Sequence, residues 1–264
     1  AFRFDITDAL VPGQDNVLAV KVNNANAQEI APVLGGGPMF DFTLFGGIYR
    51  GVSLVVTDPV HADTLDYGSS GLKLTPTNVS EKSADLNIKS TIVNDSDAEK
   101  TVTVKASLKD PDAFEEVEGI TPLFDVSTMY GGSFRMETEE TITIPAGGSV
   151  VFSKDLTVQN PRLWNGKEDP YRYQVDLTVT GEGKTLDTLT QYVGFRYYAV
   201  DYDKGFFLNG ESYPLRGVSR HQDRENMGSA LTEKEHSEDF ALIYEIGANS
   251  VRLAHYPQAP YFYE

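Results

Sequence analysis

Two histidines follow neighbouring apolar stretches of the chain and could act together on a polar ligand. His221 comes three residues after Val218, and His255 comes two residues after Leu253. A helical pattern separates the two stretches, which predicts parallel strands with both imidazoles at the same carboxyl-terminal edge. In β/α barrels, active sites are built at this edge. The spacing therefore predicts a shared polar site; the alternative is that each histidine only caps a loop or satisfies backbone groups.

One charged residue belongs to the same predicted edge. Arg252 lies between the apolar residues Val251 and Leu253, so its side chain is expected to face the interior of a barrel. A buried charge needs a partner, which predicts a carboxylate supplied by a later strand. The alternative is an exposed arginine on a wrongly assigned strand. Of the two remaining histidines, His236 is expected to face solvent from the first turn of a helix and His61 to lie in a linker, and neither is assigned a role.

The composition excludes several classes of partner and site. With 39 acidic and 22 basic residues, the formal net charge is −17, which argues against nucleic acid or an anionic membrane as partner. The absence of cysteine excludes disulfides and thiolate metal sites and leaves the compartment open. No apolar run approaches the roughly 20 residues that span a bilayer, and the first residues do not resemble a signal peptide. The sequence has no metal-ligand spacing, no phosphate-binding glycine loop, no G-x-S-x-G elbow, and no carboxylate pair that stands out.

Local signals define the elements that would carry the histidines. Thr232 and Glu235 form a capping box at the start of a helix, and Gly247 suits its carboxyl-terminal cap. Strands are predicted on either side of this helix at 214–218 and 251–253. The preceding stretch predicts a hairpin, with Asn209 and Gly210 as its turn. The resulting strand–helix–strand unit is typical of the first step of an α/β sheet or barrel.

The remainder of the chain predicts a mainly β protein. Residues 1–59 alternate strands and turns, with strands at 2–6, 16–22 and 52–56, and 60–71 read as a linker. Both ends of the chain look like those of a fragment. The segment 110–132 interrupts the rhythm as a long loop, without a functional account. About seven short strands in roughly 130 residues match an immunoglobulin-like sandwich: 72–76, 83–93, 100–109, 134–144, 149–158, 171–180 and 184–193.

Five motifs, in order along the chain, resemble glycoside hydrolase family 2, the family of β-galactosidases and β-glucuronidases. They are "DFTLFGGIYRGVSL" (41–54), "NPRLWNGKEDPYRYQVDLTV" (160–179), "VGFR" (193–196), "RGVSRHQD" (216–223) and "NSVRLAHYP" (249–257). The resemblance implies the end of a sugar-binding jelly-roll β-sandwich at 1–59 and an immunoglobulin-like β-sandwich at 60–198. It also implies the start of a (β/α)₈ TIM barrel, truncated after its first βαβ unit, at 199–264.

The resemblance also implies roles for individual residues. His221 and His255 match residues that hydrogen-bond sugar hydroxyls, and Arg252 matches the arginine near the nucleophile. Asp41 matches an aspartate that reaches the glycone and can share a sodium ion. The two catalytic glutamates and the magnesium ligands belong to later barrel strands, so no catalytic residue and no cofactor is expected within this chain. The parent enzyme is expected to use magnesium and sodium ions. Glu225 and Glu264 do not occupy the catalytic positions.

Three functions remain open. The first is a fragment of a retaining β-galactosidase that contributes contacts to a terminal β-galactoside but is inactive by itself. The second is a β-glucuronidase of the same family, because the motifs present do not discriminate between the two sugars. The third is a non-catalytic carbohydrate-binding or scaffold module. The expected partner is a carbohydrate, with no nucleic acid and no membrane; a homo-oligomer and the compartment stay undecided.

Overall fold

The computed structural model describes residues 2–23, 45–111 and 134–264. The chain divides into two compact units, one formed by Ala1–Asp8 and Val55–Pro214, the other by Ala9–Leu54 and Leu215–Glu264. The first unit is built mainly from β-strands, as predicted, and the second combines two short strands with helices.

The first unit contains two four-stranded antiparallel sheets. In the first sheet, β3 is central and pairs with β6 on one edge and with β1 and β2 on the other; the second sheet has the order β5-β4-β7-β8. The strands in chain order are β1 (Val60–Ala62), β2 (Leu72–Thr77), β3 (Ser83–Asn94), β4 (Lys100–Lys109), β5 (Arg135–Ile144), β6 (Ser149–Gln159), β7 (Tyr173–Gly181) and β8 (Lys184–Val193).

Strict alternation of side chains produces the core between these sheets. Along β3 every second residue is buried, among them Leu86 and Ile88, and β7 alternates in the same way through Val175 and Leu177. Successive side chains of a strand point to opposite faces, so each sheet presents one apolar face. The two faces form a single buried cluster, which makes a β-sandwich. The seven strands predicted between 72 and 193 are confirmed.

The predictions for the first 71 residues need correction. Residues 2–6, 16–22 and 52–56 are not strands; within 2–23 and 45–59 the structure has one regular element, a 3-10 turn at Thr7–Ala9. Their alternating side chains are exposed, for example 94% for Val17 and 84% for Val56. A strand needs a neighbour that accepts and donates backbone hydrogen bonds, and no described residue provides one here. The predicted linker, in turn, begins with β1, in which His61 is buried with its Nδ1 2.9 Å from the Asp58 carbonyl.

A small three-stranded sheet completes the first unit. Its strands are β9 (Tyr198–Asp201), β10 (Gly205–Leu208) and β11 (Glu211–Ser212). Asn209 and Gly210 connect β10 to β11 with positive φ angles of 50° and 87°. Two residues of positive φ match the twist of a tight hairpin, so the predicted turn is confirmed.

The second unit is built around two parallel strands joined by a helix. They are β12 (Gly217–Arg220), α1 (Glu233–Glu245) and β13 (Ser250–Leu253), followed by the short α2 (Pro260–Tyr263). The capping box is confirmed, because Thr232 donates its N–H to Glu235 Oε2 at 2.8 Å. Gly247 follows the helix with φ of 79°, as expected of its cap. β12 begins three residues later than predicted. Neither described helix has the length and apolar character needed to cross a bilayer.

Candidate functional site

The two predicted histidines meet at the carboxyl-terminal edge of the β12–β13 pair. His221 follows β12 directly, and His255 follows β13 after Ala254, whose N–H donates to the Arg220 carbonyl at 3.0 Å. The imidazole rings stand nearly perpendicular, with centroids 5.2 Å apart and planes at 83°. The peptide bond between Ala254 and His255 is cis. His221 is half-buried and His255 is exposed, so a ligand outside the edge can reach both rings.

Arg252 lies on the face of the two strands that points away from α1. Arg252 pairs in register with Ser219 of β12, which is also exposed. Arg220, which follows Ser219 on β12, points to the helix side. Nη2 of Arg252 is 3.2 Å from Nδ1 of His255. A guanidinium can only donate, so Nδ1 accepts and the neutral His255 ring carries its proton on Nε2. The carboxylate expected to pair with Arg252 stays a prediction.

Tyr256 is the third ring at this edge. Its centroid is 6.2 Å from that of His221, at an interplanar angle of 75°. Its hydroxyl oxygen accepts the N–H of Gln222 at 3.0 Å. Burial raises the pKa of Tyr256 above its usual value, so the phenol stays protonated at neutral pH. The edge therefore combines two imidazoles, a guanidinium and a neutral hydroxyl, a set suited to hydrogen-bonding a ligand with several hydroxyl groups.

Behind this edge lies a buried charge cluster that the sequence reading did not identify. Arg220 is only 7% exposed. Its Nη2 and Nε donate to Asp239 Oδ2 at 2.7 and 3.1 Å, and its Nη1 donates to Gln258 Oε1 at 2.6 Å. The Phe262 ring lies 4.1 Å from its guanidinium carbon. On the other side of Asp239, Arg224 donates to Oδ1 at 2.8 Å. Asp239 thus bridges the two arginines, and Glu238 also binds Arg224.

The expectation that His236 faces solvent is wrong. It is 2% exposed, and its Nδ1 accepts from Arg220 Nη2 at 3.0 Å. Its Nε2 is buried without a hydrogen-bond partner among the described residues. Burial, and then the neighbouring Arg220 charge, lower the pKa of His236 below its usual value. Position in the first helical turn does not decide exposure, because the side of the helix that meets β12 starts in that turn.

Two buried glutamines continue the network towards the histidines. Gln222, 1% exposed, accepts from the Ala259 N–H at 2.7 Å and donates from Nε2 to the Ser229 carbonyl at 3.2 Å. Gln258, 2% exposed, donates from Nε2 to the Tyr256 carbonyl at 3.2 Å. Every polar group of these two side chains is therefore satisfied, as burial requires.

From the amino-terminal segment of the same unit, Arg50 donates to the Pro257 carbonyl at 2.6 Å.

A sequence signal for the buried charge cluster does exist. Since neighbouring side chains of a strand alternate, an arginine directly before His221 must face the crossover helix, and that helix must then supply a carboxylate on its inner face. Asp239 meets this requirement.

The sodium prediction falls on residues without a description. Asp41 lies outside the described residues. Within 2–23, 45–111 and 134–264, no group of three histidine or carboxylate side chains could hold a metal ion. The sodium and magnesium ions expected for the parent enzyme stay predictions.

Family models match two consecutive segments of the chain. One, described as glycosyl hydrolases family 2, matches residues 70–196, and another, described as glycosyl hydrolases family 2, TIM barrel domain, matches residues 200–264. A β-glucuronidase of Bacteroides fragilis is 39% identical over 264 residues, which are 100% of this chain and 34% of the relative. A β-galactosidase of Bacteroides ovatus is 33% identical over 260 residues, or 98% of this chain and 26% of the relative.

A solved structure shares the fold. β-Glucuronidase 2 of Bacteroides uniformis, covalently bound to cyclophellitol-6-carboxylate aziridine, matches with a TM-score of 0.85 and 37% identity, covering 98% of this chain and 28% of that chain. The chain thus spans between a quarter and about a third of the length of these relatives. Both family models match in chain order, and together they account for most of the sequence: the chain belongs to glycoside hydrolase family 2.

Proposed function

We propose that this chain contributes sugar contacts to a retaining β-glycosidase that removes terminal β-glucuronosyl residues. The observation that carries the proposal is the pair of perpendicular imidazoles at the ends of two parallel strands, with Arg252 bound to one of them. In a family 2 chain, this edge is where the glycone is expected to bind. His221 and His255 would hydrogen-bond the hydroxyls of the sugar ring, and Arg252 would lie beside the nucleophile.

Glucuronide is placed first because of the relatives. The B. fragilis relative, at 39% identity, is a β-glucuronidase, and the B. uniformis enzyme of TM-score 0.85 is a β-glucuronidase with a 6-carboxylate ligand. A β-galactoside, the sugar first expected from the sequence, is the second candidate, because the B. ovatus relative at 33% identity is a β-galactosidase. The hydroxyl contacts of the two histidines serve either sugar.

The proposal assigns hydrolysis to groups outside these 264 residues. A retaining enzyme needs two carboxyl groups about 5 Å apart that flank the scissile bond, and the edge around His221 and His255 offers imidazoles, a guanidinium and a phenol instead. The same proposal includes Asp41 as a further glycone contact that shares a sodium ion. It also includes magnesium elsewhere in the enzyme and the domain limits at 59/60 and 198/199.

Ligand titration of the 264-residue chain tests it. Phenyl β-glucuronide is expected to bind, and His221→Ala or His255→Ala is expected to weaken its binding about tenfold, as the loss of one hydrogen bond does. Lys234→Ala, a change at an exposed residue of α1, serves as the control and should leave affinity unchanged. Turnover of phenyl β-glucuronide and phenyl β-galactoside by the whole enzyme separates the two sugars, and a preference for the galactoside would select the second candidate. Binding that survives both histidine substitutions would favour a non-catalytic binding module, and turnover by the chain itself would contradict the assignment of hydrolysis.

A further inference from the structure

The two residues that flank His221 in sequence both bind the segment that follows His255. Arg220 donates to Gln258 Oε1 at 2.6 Å, and the backbone N–H of Gln222 donates to the Tyr256 hydroxyl at 3.0 Å. The Gln222 side chain accepts the Ala259 N–H at 2.7 Å. We propose that Arg220, Gln222 and Gln258 are positioning residues, which fix the orientation of the His221 imidazole relative to that of His255. The inference rests on the proposed role of these histidines in sugar binding.

The backbone alone does not fix this geometry. The ladder between β12 and β13 ends where the Ala254 N–H donates to the Arg220 carbonyl. Residues 255–259 belong to no helix or strand, so their conformation depends on side-chain hydrogen bonds. Because His221 lies between two anchored residues, its backbone is constrained on both sides, and its ring packs against those of His255 and Tyr256.

Burial makes these bonds effective constraints. Arg220, Gln222 and Gln258 are 7%, 1% and 2% exposed, so water cannot replace a partner that moves away. Arg220 is held in turn by Asp239 and His236 of α1. The guanidinium therefore connects three elements: the strand before His221, the crossover helix, and the segment after His255. Two imidazoles bind one ligand most tightly when their relative orientation is already fixed before the ligand binds. The connection through the Arg220 guanidinium provides this preorganisation.

Two substitutions remove the connection in different ways. Gln258→Met keeps the length of the side chain but removes the acceptor for Arg220 and the donor to the Tyr256 carbonyl. Ala259→Pro removes the N–H that binds Gln222; φ of −61° at this position suits proline, and the proline ring takes the place of the hydrogen beside Gln222 Oε1. Asn249→Ala is the matched control, because it removes the bond to the Arg216 N–H at the opposite ends of the same strands.

The nuclear Overhauser effect between the imidazole protons of His221 and His255 measures the ring geometry in the 264-residue chain. Gln258→Met is expected to reduce this effect more than twofold, and Ala259→Pro to reduce it less. The ring signals of His61, in the other unit, are expected to stay in place. Asn249→Ala is expected to destabilise the same two strands by a similar amount, measured by hydrogen exchange, but to leave the inter-ring effect unchanged, a difference that a purely structural role would not produce.

Affinity for phenyl β-glucuronide separates this inference from the proposed function. If Gln258→Met reduces the inter-ring effect and weakens binding about tenfold, the positioning role and the proposed sugar binding by the histidines both stand. If it disturbs the rings while affinity is unchanged, the positioning role stands and sugar binding by the histidines fails. If the inter-ring effect is retained in Ala259→Pro and in Gln258→Met, the positioning role is overturned. Should Gln258→Met not fold, an unchanged inter-ring effect in Ala259→Pro overturns it as well.

Discussion

Replacement of Asp239 by asparagine tests whether one carboxylate holds the buried charges behind the histidine edge. Asp239 binds Arg220 through one oxygen and Arg224 through the other. The Arg220 side chain is 6% exposed and that of Asp239 is 22% exposed. In Asp239→Asn the amide nitrogen must face one of the two arginines, so a donor meets a donor and the Arg220 charge loses its counter-ion.

The size of the effect follows from these exposures. Removal of one partner from a buried ion pair costs about 3–5 kcal/mol, and since water reaches part of Asp239, the lower limit of about 3 kcal/mol applies. Where opening and closing are fast relative to exchange, this free energy corresponds to a roughly 150-fold faster hydrogen exchange of the β12 and β13 amides. Hydrogen exchange is the suitable assay, because the chain folds as two compact units and a single melting curve would combine them.

The neighbouring carboxylate provides the control. Glu238 also binds Arg224, at 2.5 Å, but its side chain is 46% exposed. Exposed ion pairs contribute at most about 1 kcal/mol, so Glu238→Gln should accelerate exchange about fivefold or less. In an Arg220→Met background, Asp239→Asn should cost less than half its effect in the native chain, because the buried charge is gone. Equal acceleration by Asp239→Asn and Glu238→Gln would refute the reasoning.

Three further predictions concern stability. His236 has a lowered pKa through burial and the Arg220 charge, so below about pH 6.5 the unfolded chain binds a proton that the folded chain excludes. Stability should therefore fall on acidification from pH 7.5 to 5, by at most about 1.4 kcal/mol per pH unit from this residue. Urea titrations of His236→Asn followed by the NMR signals of α1, a variant that keeps an acceptor for Arg220, should lack this component; an identical pH profile would contradict the assignment. Leu86→Ala in the sandwich core, where the side chain is fully buried, should cost about 3 kcal/mol, measured by the fluorescence of the single tryptophan, Trp164, in the same unit. Thr232→Val removes the hydroxyl of the capping box and should cost about 1 kcal/mol, read from exchange in the first turn of α1, with Thr232→Ser as the variant that retains stability.

Sequence patterns of short range predicted much of the fold. Alternation of apolar residues located β2 to β8, Asn209 and Gly210 located the hairpin turn, and Thr232 with Glu235 located the start of α1. These signals succeed because each depends on the chemistry of residues within a few positions of one another. The same holds for the meeting of His221 and His255, since parallel strands joined by a helix place their ends at one edge.

The failures concern features that depend on distant residues. Residues 16–22 carry a strand-like alternation, yet a strand forms only where a neighbour supplies its hydrogen bonds. His61 reads as part of a linker, but pairing with β3 buries it.

The sequence by itself determined the family motifs, the order of elements and the placement of two histidines at one edge, because strand periodicity and capping are local. Only the tertiary structure decided which side of α1 meets β12, and with it the burial of His236 and the sharing of Asp239 between Arg220 and Arg224. The physical reason is that the large apolar residues of α1, Phe240, Leu242 and Tyr244, stay mostly exposed, so the apolar pattern of the helix does not select the side that packs against β12. The rotation of α1 about its axis is set by the fit of side chains that lie about 20 residues apart in sequence.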